Sequence, residues 1–146
     1  MTPSTQGARG QTAFASVARA AIEKHVPEAR TGAASWHLGP GSVWVLWPRE
    51  EGGWAALGLR RHLDWVTGEA ARGRGSRDPE SIPLSTDPGQ APSEGYRIRL
   101  GILLHDEDRW WPAGASADEL RERLEWLALQ LRVKSESYFA RHPLSR

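Results

Sequence analysis

The sequence of 146 residues contains no cysteine and a single methionine. The first absence removes disulfides, thiolate zinc sites and cysteine nucleophiles together. No apolar run approaches the ~20 residues that a helix needs to cross a bilayer. The opening Met1-Thr2-Pro3-Ser4-Thr5-Gln6 has neither the basic start nor the apolar stretch of a secretory signal. A cytoplasmic protein without membrane contact is the expectation. Excess charge is missing as well. Nineteen basic and 18 acidic residues leave a formal net charge of +1, which argues against nucleic acid or an anionic surface as an electrostatically steered partner. Lysine is almost absent: every basic residue except Lys24 and Lys134 is arginine. Together with abundant Ala and Gly, that is the usage of a GC-rich bacterial genome rather than evidence of phosphate binding.

What is present fits one globular domain. The length is that of a single domain with a buried core, and 39% apolar with 25% charged residues is too balanced for wholesale disorder. The one excess is tryptophan, with eight Trp against two Tyr and two Phe. Indoles are large, their N–H needs an acceptor, and they are seldom buried completely. A small core cannot easily hide eight, so at least one exposed aromatic anchor is expected.

Along the chain, residues 1–10 are small and polar and read as a disordered tail. From Gln11 the apolar positions Phe14, Val17, Ala18, Ala21 and Ile22 form one helical stripe. Thr12 is the expected N-cap, and Pro27 stops the helix near His25 or Val26. Trp36–Leu38, the turn Gly39-Pro40-Gly41 and Val43–Trp47 read as a β-hairpin, with a second turn at Glu50–Gly53. Trp54–Val66 is ambiguous: its alternation favours one long strand, which is the reading taken, but Arg61 breaks the parity and Leu59, Leu63 and Val66 would also suit a helix. Residues 68–95 hold five Gly and four Pro, and read as a flexible insertion. Tyr96–Leu104 alternates cleanly and reads as a strand. Ser116-Ala117-Asp118-Glu119 is a capping-box pattern. It opens a long helix to about Phe139, whose seam is Leu120, Leu124, Leu127, Leu131 and Tyr138. Trp126, Leu129 and Val133 lie on the opposite side of that helix, a second stripe that needs its own cover.

Chemistry-bearing motifs are scarce. Ser42 and Ser76 lack the Gly-x-Ser-x-Gly elbow, and no phosphate-cradling glycine loop occurs. His105-Asp106-Glu107-Asp108 reads as a solvated turn rather than a cation site, so neither metal nor cofactor is expected. His62 and Asp64 would share a strand face, a generic acid–base pairing. Arg97 and Arg99, with Arg72, Arg74 and Arg77 nearby, offer a phosphate-binding alternative that Asp78, Glu80, Asp87 and Glu94 neutralise.

The expected fold is α+β: an antiparallel sheet of about four strands, with an N-terminal and a long C-terminal helix packed on one face, in a single domain over 11–146 with its insertion at 68–95. A polar face carrying Arg60, His62, Asp64, Arg97 and Arg99 would be open or bound. This element order, with Asp108-Arg109-Trp110-Trp111 ahead of a helix, resembles small bacterial α+β proteins, among them immunity-type proteins that neutralise toxins. The likeness spans the element order and residues 96–131, and it transfers no site residue. The functional expectation is a non-enzymatic module of immunity, adaptor or regulatory type. It would bind another protein, or itself, through Trp110, Trp111, Trp126, Leu129 and Val133, surface anchors of the kind enriched at interfaces. Two alternatives stand beside it. One is a small enzyme using His62, Asp64 and the His105–Asp108 cluster behind a lid formed by 68–95; the other is RNA or phosphate binding on the arginine face.

Overall fold

The computed structural model describes residues 3–49, 53–89, 92 and 94–144, with the side chains of the first helix described from Ala13 onward. Helix α1 spans Pro3–His25. Strands β1 (Ser35–Gly39), β2 (Ser42–Pro48), β3 (Trp54–His62), β4 (Trp65–Gly73) and β5 (Gly95–Arg99) follow. Then come α2 (Leu100–His105), β6 (Trp111–Pro112) and α3 (Ala117–Arg141), with short 3-10 turns at Pro27–Arg30 and Pro79–Ser81. The sheet is an antiparallel meander in the order β1-β2-β3-β4-β5. β6 pairs with β4 as well, through Trp65–Pro112 and Val66–Trp111. The chain thus leaves β4's edge at Arg99, makes α2, and returns to pair with the rest of the same strand.

The core follows from strand alternation. Val43, Val45, Trp47, Ala55, Leu57, Leu59, Val66, Ala70, Tyr96 and Ile98 face one way, against Phe14, Ala18, Ala21 and Ile22 of α1 and Leu120, Leu124, Leu127 and Leu131 of α3. Both long helices therefore cover one face, as expected. Ser116 caps α3 by accepting the Glu119 N–H, while Glu119 reaches past it to the Ala115 N–H at 2.6 Å.

Five expectations require correction. The sheet has five strands in its main path and a sixth beside it, more than four. Helix α1 starts at Pro3, so the helix takes in most of the segment read as a tail, and Thr12 lies inside it rather than at its cap. Once nucleated, a helix extends at little cost even without an apolar stripe to signal it.

Trp54–Val66 is not one strand but β3, a tight turn at Leu63-Asp64, and the start of β4. Leu63 adopts φ 54°, a conformation that usually falls to Gly or Asn, so the sequence carries no turn signal there. Two hydrogen bonds hold the turn, one from the end of β3 itself and one from far along the chain. Arg61 Nε donates to the Leu63 carbonyl, and the Ala113 N–H to that of Asp64, each at 2.8 Å.

The first six residues of the supposed insertion are the buried run of β4, the strand that pairs with β3, β5 and β6. Their small side chains looked like loop composition. In the fold they make room, because the Leu131 side chain crosses Gly68 and the Trp54 indole lies over Gly73. Lastly, Tyr96–Leu104 is a strand only to Arg99. Leu103 breaks the alternation, and 100–105 coil into α2, which ends with Asp106 in the left-handed region (φ 57°).

Candidate functional site

The sheet's second face is covered over much of its area. Residues 74–89 cross it as a strap. At one end Ile82 packs on a small core of Trp44, Leu46, Trp54, Ala56 and Ala71. Leu84 bridges to Arg97, and the Ser85 N–H donates to the Arg97 carbonyl at 2.8 Å. Beside this apolar patch lies a charged cluster. Glu69 of β4 is fully buried, and three arginines from the strands on either side converge on it. Arg60 Nε donates to Glu69 Oε2 at 2.7 Å, while Arg97 Nη1 and Arg99 Nε each stand 3.5 Å from its oxygens.

The strap supplies a second carboxylate. Glu80 Oε1 accepts from the Ser42 hydroxyl at 2.6 Å, the Trp44 indole N–H at 2.8 Å and Arg60 Nη2; its Oε2 accepts from Arg60 at 2.7 Å and Arg97 at 3.1 Å. Burial alone pushes this carboxyl up. The hydrogen bonds from Arg60, Ser42 and Trp44, with the charge of Arg60, outweigh burial and hold it at about 2. Asp78 fixes the approach by accepting the Glu80 N–H at 3.0 Å, and it lies 3.3 Å from His37. At the rim Arg99 Nη1 reaches Asp108 at 2.7 Å, and its guanidinium stacks over Trp110 at 4.8 Å.

Trp44 can donate to Glu80 because its ring lies flat on the backbone of β3 at Gly58, where any Cβ would fall inside the indole. Gly58→Ala is therefore expected to destabilise by about 1–3 kcal/mol, the usual cost of overpacking. It should also detach the indole from Glu80. Thermal unfolding together with the near-ultraviolet tryptophan signal checks this, and an unchanged midpoint would mean the ring is not held there.

The helical surface is different in kind. On α3, Trp126, Leu129 and Val133 are 37%, 42% and 57% exposed. Trp111 meets Trp126 edge to face at 5.6 Å, and the Arg123 guanidinium sits 5.9 Å above the same ring. These contacts pack part of the indole and leave the rest exposed.

The sequence-derived site residues therefore separate into groups. Trp111, Trp126, Leu129 and Val133 belong to the α3 surface. Trp110 falls on the opposite side of the sheet, because adjacent residues of an extended segment face opposite ways. It joins His62 and Trp65, the latter 49% exposed, around an open hollow of about 400 Å³. Arg60, Arg97 and Arg99 do share a face, but their charge is engaged by Glu69, Glu80 and Asp108. Asp64 sits in the β3–β4 turn. Among the described residues no hydrogen bond or ion pair joins it to His62, or His105 to the carboxylates after it, and no three His, Asp or Glu gather as metal ligands. Among the same residues no helix is long and apolar enough to cross a membrane.

Sequence reasoning missed Glu69, Glu80, Ser42 and Trp44 as a unit. The available signal was the alternation of Arg97 and Arg99 on one face, which demands buried counter-charges once that face is covered. Comparisons with family models, with curated proteins and with solved structures return no match.

Proposed function

We propose that this protein is a binding module that works by polypeptide association, with a second copy of the chain as the occupant of the α3 surface. The observation that carries this reading is the exposed stripe of Trp126, Leu129 and Val133 on a helix whose other side is fully engaged in the core. An exposed aromatic ring packed by Trp111 and Arg123, next to aliphatic side chains, has the composition of an interface anchor.

Charge distribution favours the same chain as partner. In the first half of α3 Asp118 is paired with Arg121 and Glu125 with Lys24, which leaves Glu119 and Glu122 against Arg123, an excess of acid. From Arg132 onward, Arg132 is shared by Glu28 and Glu136, and Lys134 and Arg141 add two more positive charges, an excess of base. A two-fold axis near Leu129 lays each acidic half along the partner's basic half, the self-complementary arrangement that an isologous dimer requires.

The test is mass in solution by light scattering or sedimentation equilibrium. Wild type is expected at twice the 16.2 kDa chain mass. Trp126→Glu with Val133→Glu is expected at one chain mass with unchanged circular dichroism, since both side chains point outward. A wild type that stays at a single chain's mass across the micromolar range would falsify the proposal, as would a double variant that still pairs.

A further inference from the structure

We propose that the cluster on the second sheet face is a binding site for a carboxylate, and that Glu80 of the strap is the occupant the chain supplies to itself. This inference is independent of the α3 surface. The donors are built into the strands: the Ser42 hydroxyl and Trp44 indole N–H from β2, Arg60 from β3 and Arg97 from β5. Only the acceptor comes from outside the sheet, on the three-residue turn Pro79–Ser81. Arg60 Nη2 lies across both of its oxygens, with Ser42 and Trp44 on Oε1 and Arg97 on Oε2, so each oxygen takes charge-assisted hydrogen bonds from the strands.

Charge completes the argument. The three guanidiniums of Arg60, Arg97 and Arg99 are answered by Glu69, Glu80 and, at the rim, Asp108. With Glu80 withdrawn, one positive charge is left without a counter-charge in a site that water reaches poorly. Glu69, fully buried next to it, repels a second negative charge, so the site favours a monoanionic carboxylate over a phosphate dianion. Such a group is found on an acidic side chain or at a chain terminus.

The strap is held independently of Glu80 by Ile82, by the Leu84–Arg97 bridge and by the Ser85 N–H. Glu80→Ala should therefore leave the strap seated over a cavity that lacks the CH2 and carboxylate of the original side chain. Acetate matches that missing piece. Glu80→Ala is expected to show a saturable rise in unfolding temperature with acetate, beyond that given by chloride at equal ionic strength.

In wild type, acetate must compete with a tethered carboxylate, so its apparent affinity should be weaker by about tenfold or more. Hydrogen exchange at the Ser81 and Ile82 amides, in the turn that carries Glu80, should quicken with acetate and not with chloride, while the Ser85 amide on Arg97 stays protected. A folded Glu80→Ala that ignores acetate overturns the proposal. So does wild-type exchange that acetate never alters, since Glu80 is then a permanent clasp. If Glu80→Ala does not fold, Glu80→Gln keeps the volume and loses the charge. In that variant acetate should quicken strap exchange at lower concentration than in wild type, and a variant no more responsive than wild type overturns the idea.

Discussion

Glu69→Ala is expected to destabilise the protein by about 3–5 kcal/mol, the usual cost of removing one partner from a buried ion pair. The magnitude follows from position. Glu69 is completely buried on β4, and the side chains of Arg60, Arg97 and Arg99 around it are themselves only 16%, 12% and 18% exposed. Without the carboxylate, three guanidiniums share Glu80 and Asp108 alone, in a medium that screens their mutual repulsion weakly. Urea denaturation at neutral pH measures the loss. Glu69→Gln separates charge from shape, because it fills the same volume and can still accept from Arg60. A cost below about 1 kcal/mol for Gln would place it in the range of an ordinary neutral hydrogen bond, and charge compensation would not be what Glu69 supplies. Pairing Glu69→Leu with Arg60→Met should recover part of the loss, since exchanging a buried ion pair for apolar side chains is often neutral or stabilising.

How far the fold and site could be read from the sequence depended on whether a local signal existed. The α1 stripe from Phe14 to Ile22 and the α3 seam from Leu120 to Tyr138 were readable because an amphipathic helix writes its period into the chain. The first hairpin was readable because Gly39-Pro40-Gly41 separates two β-rich runs. The exposure of Trp126, Leu129 and Val133 was readable because two opposed stripes on one helix leave one without cover. The β3–β4 hairpin was hidden for the opposite reason: Leu63 accepts a left-handed conformation without a Gly or Asn to mark it, in a turn held by Arg61 and, from far along the chain, by the Ala113 N–H. β4 was hidden because Gly68, Ala70, Ala71 and Gly73 are small to fit large neighbours elsewhere in the sequence, so the cause lies outside the segment itself. The charged cluster suffered most. Its members, at 42, 44, 60, 69, 80, 97 and 99, come from four strands and a strap, and the two carboxylates fell in a segment whose composition resembled a linker.

Acid titration should show the strap's carboxylate directly. Glu80 is held at about 2 against an ordinary 4.5, so the folded protein favours its ionised form. The stability this provides is complete above the unfolded value of 4.5, and it is lost as pH falls through that value toward 2. At 1.36 kcal/mol per pH unit the upper bound is roughly 3 kcal/mol. Solvent screening lowers it, because water still reaches a fifth of the Glu80 side chain. Glu80→Gln has no proton to bind, so its urea midpoint should be lower than wild type at pH 6 and should fall less steeply between pH 4.5 and 2. The two curves converge at the acid end, where wild-type Glu80 is protonated too. Carboxylates remote from the cluster contribute equally to both proteins and cancel in the difference. Parallel curves over that interval would mean that Glu80 titrates as a free side chain, and that the Ser42, Trp44, Arg60 and Arg97 donors do not hold it in solution.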